Sequence, residues 1–266
     1  MPCSNHLRAT LALAVLGGSL FGFAALQDSD FKWKVHDQDR PKPVVVAPGT
    51  PATVTAPGTA PSDATVLLGG DAGLKAWRSG NADCKWTLHP NGTAQVKART
   101  GNITTRESFG DVHLHVEWMI PADRKCSGQG GCNSGVFFME RYEVQILGTY
   151  NNVSYADGMA GSLYGQYPPL ANPCRPNGEW NVYDILFRAP RFAKDGSLES
   201  PAVVTVFFND VLVQYDSVMT GGTSHASRAK YSKHAEMLPI QLQDHGDPIS
   251  FGNIWVRPLP PQQVAE

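Results

Sequence analysis

The stretch Val112-His-Leu-His-Val-Glu-Trp-Met119 alternates apolar with polar side chains. Successive side chains of a β-strand point to opposite faces, so this period of two predicts a strand with one face in the core and one face in water. The stretch Tyr142-Glu-Val-Gln-Ile-Leu147 repeats the pattern and places Glu143 and Gln145 on the same face. Both stretches are therefore predicted to be strands of a sheet whose polar face is exposed.

A hairpin is predicted nearer the C-terminus. Val203–Phe208 and residues 211–215 flank Asn209-Asp210, two residue types that tolerate positive φ and suit a two-residue turn. This arrangement indicates a β-meander. Further strands are expected at residues 135–139, 181–187, 240–243 and 249–256, and helical periodicity appears only weakly, at residues 74–77.

The composition agrees with a folded, turn-rich β protein. Hydrophobic residues make up 42% and charged residues 17% of the 266, a balance that buries a core. The 26 glycines and 20 prolines argue against long helices, coiled coils and helical repeats. With 22 Lys and Arg against 24 Asp and Glu, the net charge of −2 provides no basic field, so we expect no nucleic-acid partner.

The N-terminal region predicts export. Arg8 is the one clear charge in the first 27 residues, and an uncharged run from residue 9 to residue 27 follows it. We interpret residues 1–24 as a signal peptide cleaved after Ala24, giving an exported protein, periplasmic or extracellular, with no stable membrane span after signal removal. An uncleaved membrane anchor is the alternative, but Gly17 and Gly18 interrupt the apolar run of about 20 residues that a span requires.

Residues 25–63 are predicted to be a Pro-rich linker. Six prolines lie between Pro41 and Pro61, and we expect the segment from Asp28 to Pro61 to pack poorly because it has little apolar surface to bury. The globular domain is expected at residues 64–259, long enough for one β-sandwich or barrel, and residues 260–266 form a C-terminal tail.

Four cysteines remain once Cys3 is removed with the signal peptide, an even number that favours disulfides in an exported chain. Of the three pairings that four cysteines allow, we favour Cys126–Cys132, which closes a glycine-rich loop, with Cys84–Cys174 by elimination. A zinc site built from these cysteines is the weaker interpretation, because the chain has no CxxC pair.

Three ionisable side chains share the polar face of the first strand. His113, His115 and Glu117 point the same way, and a His-x-His pair with a third ligand could hold a divalent metal. Alternatively, His113 is a solvated strand residue, and His115 with Glu117 forms a second polar shell. No cofactor is certain from the sequence, and a divalent metal is one option.

Candidate catalytic groups lie on the second strand and at the end of a later one. Glu143 could act as a base that Gln145 orients, or both could face water. In the run Leu242-Gln-Asp-His-Gly246 a strand ends at a glycine, and His245 could serve as a base or ligand. The alternative is that Asp244 and His245 only brace the turn.

Amide and aromatic side chains suitable for a sugar site occur between these segments. Asn133 would supply hydrogen bonds, and Tyr164, Tyr167 and Trp180 would supply stacking surfaces, although each could equally pack in the core or in a loop. No GxSxG, HExxH, P-loop or dinucleotide-binding motif occurs in the sequence.

Six short motifs follow one another in a specific order: Asn133-Ser-Gly-Val-Phe137, Tyr142-Glu-Val-Gln-Ile146, Gly161-Ser-Leu-Tyr-Gly165, Gly178-Glu-Trp-Asn181, Leu242-Gln-Asp-His-Gly246 and Asn253-Ile-Trp-Val-Arg257. In this order they resemble the bacterial 3-keto-disaccharide hydrolase family, also described as 3-keto-glucoside 1,2-lyase/3-keto-2-hydroxyglucal hydratase. The resemblance covers roughly residues 64–259. It implies an all-β fold, a concanavalin A-like jelly-roll β-sandwich.

The resemblance also implies an activity, which is cleavage of 3-keto-glucosides by elimination at C1–C2 followed by hydration. Glu143 and His245 would then be base and acid, in either order, and His115 with Glu117 would be a polar shell or a metal site. The residues expected to bind the carbohydrate substrate are Asn133, Gln145, Tyr164, Trp180, Gln243 and Asp244.

Two glycines depart from the family pattern. Gly148 stands where an aspartate commonly follows the strand, and Gly252 stands where an arginine commonly follows Phe251. Two other functions stay open: a non-catalytic carbohydrate-binding jelly-roll module, and an ordinary glucanase, which would need two carboxylates on one face.

From the alternation on each strand we also expect a single site. His115, Glu117, Glu143, Gln145 and His245 are predicted to converge on one concave sheet face opposite the core.

Overall fold

Antiparallel strands account for nearly all of the regular structure in residues 42–261, the part of the chain that the computed structural model describes. The predicted signal peptide (1–24), the linker up to residue 41 and residues 262–266 lie outside it. The strands are β1 (Thr65–Leu68), β2 (Trp77–Ser79), β3 (Ala82–Asp83), β4 (Thr87–Leu88), β5 (Ala94–Gln95), β6 (Ile103–Thr105), β7 (Val112–Met119), β8 (Asn133–Phe138), β9 (Tyr142–Leu147), β10 (Trp180–Arg188), β11 (Arg191–Phe192), β12 (Leu198–Ser200), β13 (Val203–Phe208), β14 (Val211–Val218), β15 (Gln241–Leu242) and β16 (Ser250–Pro258).

Two sheets form the sandwich. The larger has the strand order β14-β13-β10-β7-β16-β5-β4, with β1 also paired to β16, and the smaller has the order β3-β2-β6-β15-β8-β9. Strands distant in sequence are neighbours in both sheets, because β16 pairs with β7 and β15 lies between β6 and β8. The fold is all-β, a concanavalin A-like jelly-roll β-sandwich, as expected.

The core lies between the sheets and is filled by the apolar half of each alternating strand. Phe138 of β8 stacks on Phe187 of β10, with ring centroids 4.4 Å apart, and so joins the two sheets. A buried hydrogen bond also crosses the sandwich, from the Tyr183 hydroxyl on β10 to the Gln145 carbonyl on β9, at 2.8 Å. Burial of each large apolar side chain contributes about 1.5–3 kcal/mol, which is the main stabilisation of this fold.

The local sequence signals are largely confirmed. Strands occur at every position where alternation or an apolar run predicted one. Asn209 and Asp210 have φ of 47° and 63°, and Phe208 pairs with Val211, as a two-residue hairpin turn requires. The weak helical signal at residues 74–77 was wrong: only a 3-10 turn at Gly70–Ala72 forms, Gly73 has φ of 53°, and β2 begins at Trp77.

The polar faces of the two alternating strands are buried, contrary to the expectation that they are wet. Glu117 is 0% exposed and Gln145 is 1% exposed. Over β7, the chain that precedes β1 covers the polar face, since the Gly58 N–H donates to both carboxylate oxygens of Glu117. Over β9, the connections that follow β9 and β14 cover it.

The Pro-rich segment is therefore better packed than expected. Val44 and Val45 are exposed, but the backbone N–H of Trp180 donates to the Val54 carbonyl at 3.1 Å. The segment also forms its own bridge between Thr50 and Thr59.

Of the two predicted disulfides, one forms. Cys126 and Cys132 are bonded, with Cα atoms 5.3 Å apart, inside the expected range. The pairing of Cys84 with Cys174 was wrong, because both are free thiols: Cys84 follows β3 at the edge of the smaller sheet, and Cys174 lies before β10 of the larger one. No helix within residues 42–261 is long and apolar enough to cross a membrane.

Candidate active site

A cavity of about 360 Å³ opens on the outer face of the smaller sheet. Its floor is built by neighbouring strands whose outward side chains share one face. β8 contributes Asn133 and Phe137, β9 contributes Glu143 and Gln145, and the segment that ends β15 contributes Gln243 and His245.

Glu143 is the buried carboxyl group of this cavity. It is 4% exposed, and its backbone N–H donates to the Thr223 hydroxyl at 3.0 Å. Gly135 makes room for the carboxylate, because a Cβ at this position would lie 2.5 Å from Glu143 Oε1. The glycine of the Asn133-Ser-Gly motif is thus required by the close approach of a neighbouring acid rather than by a turn.

Burial raises the pKa of Glu143 from its ordinary 4.5 to about 8. Within the described chain, no hydrogen bond to the carboxylate oxygens lowers it again. A carboxyl group in this state changes protonation just above neutral pH, where it can either take up or release a proton during a reaction.

Tyr164 and the connection after β14 form the wall above Glu143. The Tyr164 hydroxyl lies 2.6 Å from the Tyr155 hydroxyl and 3.3 Å from His225 Nδ1. Burial, the hydrogen bond to Tyr155 and nearby carboxylates including that of Glu143 raise the pKa of Tyr164, which keeps the phenol neutral. Sequence reasoning missed His225 and its neighbours, which lie in a segment without periodicity or a motif.

Gln129 is another residue that the sequence analysis missed. It lies in the loop that the Cys126–Cys132 disulfide closes, and its Oε1 accepts a hydrogen bond from Gln145 Nε2 at 3.1 Å. Gln145 Oε1 is buried and has no hydrogen-bond partner among the described residues. The sequence signal was available, since a stapled glycine-rich loop leads directly into Asn133 and β8.

Two of the expected sugar contacts lie elsewhere. The Asp244 carboxylate accepts hydrogen bonds from the backbone N–H groups of Thr100 and Gly101, both at 2.9 Å, and of Gly246 at 3.0 Å, so it braces the turn. Trp180 is buried on β10 of the larger sheet, beside a different surface depression. Asp244 and Trp180 are therefore no part of the cavity that contains Glu143.

The expected convergence on one face was also wrong. Glu143, Gln145 and His245 line the cavity on the smaller sheet, whereas His115 and Glu117 lie on β7 of the larger sheet. Alternation turns polar side chains away from the core in both sheets, and the outer faces of a sandwich point in opposite directions. The alternation of side chains along each strand therefore could not show whether the residues of the two strands share one face.

On the larger sheet, His115 is held between two carboxylates. Its Nδ1 lies 2.9 Å from Asp184 Oδ1 and its Nε2 lies 3.0 Å from Glu117 Oε1, and its ring stacks on Trp255 with centroids 4.8 Å apart. Burial favours the neutral ring, but the hydrogen bonds and charges of Asp184 and Glu117 outweigh it and raise the pKa of His115 to about 9.

These contacts do not fit a metal site. Both ring nitrogens of His115 are already engaged by carboxylate oxygens, at 2.9 Å and 3.0 Å. Among the residues described, 42–261, no group of three or more His, Cys, Asp or Glu side chains is arranged to hold a metal ion. In this structure His115 and Glu117 belong to an ion-pair cluster with Asp184.

The comparisons with known proteins give the cavity its context. Residues 63–257 match the 3-keto-alpha-glucoside-1,2-lyase-like domain. The chain belongs to this family. Membership of the 3-keto-alpha-glucoside-1,2-lyase-like family supports a carbohydrate-active function with a sugar as the substrate.

Solved structures agree with this assignment. A presumed glycosyl hydrolase from Parabacteroides distasonis ATCC 8503 is 42% identical, with a TM-score of 0.78 over 85% of this chain and 97% of that one. Two others from the same organism, 19% and 20% identical with TM-scores of 0.51 and 0.53, cover 71% and 74% of this chain and 91% and 99% of their own, and share the fold. Curated protein sequences contain no significant match.

The two glycines that depart from the pattern of the lyase-like family have steric explanations. A Cβ at Gly148 would contact Cys126 Sγ and would lie 2.7 Å from Ile120 Cδ1, so the disulfide occupies the space of a side chain. A Cβ at Gly252 would lie 2.8 Å from Pro57 Cγ, so the Pro-rich segment fills that space. Neither an aspartate nor an arginine fits this chain as it is folded.

Proposed function

We propose that this protein cleaves 3-keto-glucosides by elimination across C1 and C2, followed by hydration. The observation that carries the proposal is Glu143, a buried carboxyl group with a pKa raised to about 8 on the floor of a cavity in a member of a lyase-like family. A ketone at C3 makes the C2 hydrogen acidic, so a single base is enough to start the reaction.

The proposed reaction consists of an elimination step and a hydration step. Glu143 takes the C2 proton and the electron pair moves into an enolate on the C3 oxygen. Collapse of the enolate forms the C1–C2 double bond and breaks the bond from C1 to the aglycone oxygen, which takes up a proton. Water then adds across the double bond, with hydroxide on C1 and a proton on C2, and the net result is hydrolysis.

His245 and Gln243 complete the proposed machinery. His245 lines the cavity and is exposed at its mouth, where a departing aglycone would need a proton, so we assign it as the acid. Gln243 also lines the cavity, and its hydrogen bonds within residues 42–261 use only its backbone groups, the N–H with Gly135 and the carbonyl with Ser134. Its side-chain amide is therefore free to donate to the enolate oxygen.

This geometry separates the proposal from the two alternatives. A glucanase needs a pair of carboxylates about 5–9.5 Å apart, but Glu143 is the one carboxylate among the described residues that line the cavity. A binding module gains nothing from an unpaired carboxyl group that burial makes costly to ionise. A group of this kind is expected where a proton must be moved.

We also propose that the protein is exported, with residues 1–24 as its signal peptide and residues 25–63 leading into the domain. The Cys126–Cys132 disulfide agrees with an oxidising compartment. Mass spectrometry of the mature N-terminus from fractionated cells would test the cleavage after Ala24.

The reaction is tested with a 3-keto-glucoside that carries deuterium at C2 and a chromogenic aglycone. Elimination predicts a primary isotope effect on aglycone release and loss of the label to water, because the C2 bond breaks. Direct displacement at C1 would leave the label in the product, which would contradict the proposal. The unoxidised glucoside serves as the control.

A further inference from the structure

The side-chain amide of Gln129 has a single orientation that satisfies its neighbours. One of its terminal atoms lies 2.7 Å from the carbonyl oxygen of Gly158, and the same atom lies 2.7 Å from the Ser154 hydroxyl. A carbonyl oxygen only accepts hydrogen bonds, so this atom must be Nε2. Gln129 Oε1 is thereby directed the other way, towards the cavity floor.

The orientation of Gln129 determines that of Gln145. Gln129 Oε1 is an acceptor, so the atom of Gln145 that lies 3.1 Å from it must be Nε2. Gln145 Oε1 is then left buried and without a partner. Gln145 lines the cavity, so a ligand bound there can donate to this unpaired buried acceptor.

Asn133 is oriented by the same residue. Its Nδ2 donates to the backbone carbonyl of Gln129 at 2.9 Å, and a carbonyl again admits only the nitrogen. The Asn133 side chain also lines the cavity, so its oxygen is the atom that remains for a ligand. Two amides of the cavity thus have their nitrogen atoms bonded to one residue of the stapled loop.

We propose that Gln129 is a positioning residue that makes the cavity floor present two hydrogen-bond acceptors, Gln145 Oε1 and Asn133 Oδ1. The ligand class that this floor selects is a sugar with hydroxyl donors at the two corresponding positions, which rests on the proposed function in so far as the cavity binds a sugar. A carbonyl, ether or fluorine at either position has no proton to donate and is rejected.

The same arrangement bears on the mechanism. The amide nitrogens of Gln145 and Asn133 are bonded to Gln129, whereas the side-chain amide of Gln243, in the same cavity, makes no hydrogen bond within residues 42–261 and can hold the enolate oxygen. Glycine is also required at position 158, because a Cβ there would lie 2.7 Å from Gln129 Nε2 and would displace the Gln129 side chain.

The first test needs no ligand. Hydrogen exchange of the side-chain NH₂ group of Gln145, followed by NMR, should be slow in the wild-type protein and faster in Gln129→Met, which keeps the length but cannot accept. Exchange at Asn133 should change less, because its bond goes to the backbone carbonyl of residue 129, which the variant keeps. Ser154→Ala is the matched control, because Gly158 still orients Gln129, and exchange should be unchanged. Equal exchange rates in wild type and Gln129→Met would overturn the proposal.

The second test measures ligand binding, and its wild-type arm does not depend on the folding of a variant. Binding of 3-keto-glucosides with single hydroxyls replaced by fluorine is measured in Glu143→Gln and wild type by calorimetry. Fluorine at one or two positions should weaken binding on the order of 10- to 100-fold, the effect of an unpaired acceptor. In Gln129→Met, fluorine at the position that faces Gln145 should weaken binding less than threefold, because that amide can turn and donate, whereas the position that faces Asn133 should keep its effect.

The outcomes separate this inference from the proposed function. If the fluorinated panel shows the expected pattern but no ketosugar is turned over, the proposed function fails and the positioning role stands. If ketosugars are turned over and no fluorine substitution weakens binding, the positioning role is refuted. Absence of any sugar binding would refute both.

Discussion

Gly58 and Glu117 are joined by two hydrogen bonds from one donor: the Gly58 N–H lies 3.1 and 3.0 Å from the two carboxylate oxygens of Glu117. The same carboxylate accepts from Asn253 Nδ2 at 2.6 Å and lies 3.0 Å from His115 Nε2. A fully buried acid on β7 therefore anchors the Pro-rich segment to the outer face of the larger sheet. It stabilises the sandwich from the side opposite the cavity.

Replacement of Glu117 by Gln should destabilise the protein strongly. The amide keeps the shape but cannot accept from three directions, and it leaves the buried His115 cation with one partner fewer. We expect a loss of about 3 kcal/mol in the free energy of unfolding, measured by urea denaturation. Asp83→Asn, which breaks the exposed ion pair with Arg106, is the control and should change little. A loss below about 1 kcal/mol for Glu117→Gln would show that the anchor contributes no more than a surface pair.

Stability should also fall as the pH rises through the pKa of His115. The pKa of His115 is raised from 6.5 to about 9 in the folded state, so its contribution is fully present below about pH 6.5 and is lost between there and pH 9. Burial would raise the pKa of Asp184, but its hydrogen bonds to His113 and His115 lower it. The stabilisation that Asp184 contributes is therefore lost only in strong acid. Denaturation curves at pH 6, 7.5 and 9 for wild type and His115→Gln measure the difference. If the two proteins lose stability in parallel across this range, His115 does not carry the effect.

Alternation in the sequence was sufficient to find β7 and β9, and the Asn209-Asp210 pair was sufficient to find a hairpin, because both signals are local. The alternation could not assign the strands to sheets, because strands of both sheets of a sandwich show the same pattern. His115 and Glu143 were for this reason predicted on one face, although a whole sandwich separates them. Long-range strand order depends on packing that no local pattern encodes.

The candidate site was predictable where a residue type stood in a recognisable motif, as with Glu143, Gln145, Gln243 and His245. Gln129 was not, because a polar residue in a glycine-rich loop has no periodicity, and its role depends on hydrogen bonds to Gly158 and Gln145. The free thiols show the same limit. An even cysteine count favoured a second disulfide, but Cys84 and Cys174 lie in different parts of the fold.

Removal of the Cys126–Cys132 disulfide should affect both stability and substrate binding. The cysteines are six residues apart, and a loop of this size is worth about 2 kcal/mol in the chain-entropy description. A double change to serine should cost about that amount and should raise KM more than it lowers kcat, because Gln129 is then held less firmly. Thermal unfolding and steady-state kinetics measure the two effects. An unchanged KM would mean that the rest of the loop positions Gln129 without the bond.

Gly148→Asp introduces the aspartate that the family resemblance led us to expect after β9, and it should destabilise this protein. Its Cβ would contact Cys126 Sγ and would lie 3.0 Å from Cys132 Cβ, and the backbone there is buried. The cost should be about 1–3 kcal/mol, as for other overpacked sites. It should be smaller when both cysteines are serine, so a double-mutant cycle measures the coupling. Additive effects would show that the disulfide does not restrict this position.

The last prediction concerns Glu143 as the base. Glu143→Gln keeps the shape of the side chain but cannot take the C2 proton, so kcat on a 3-keto-glucoside should fall about 100- to 10,000-fold while ketosugar binding is largely retained.

The pKa of Glu143 near 8 also predicts a pH dependence: with Glu143 as the base, kcat/KM should rise with pH and level off above about pH 8. If Glu143 were instead the acid, the rate would fall across the same range, so the profile decides between the two roles. Glu107→Gln, a change at an exposed carboxylate outside the cavity, is the control and should leave both the rate and the profile unchanged. The unoxidised glucoside should not react at any enzyme concentration, because without the C3 carbonyl its C2 hydrogen is not acidic enough for a carboxylate to remove. Rapid aglycone release from that glucoside, or full activity in Glu143→Gln, would contradict the elimination mechanism.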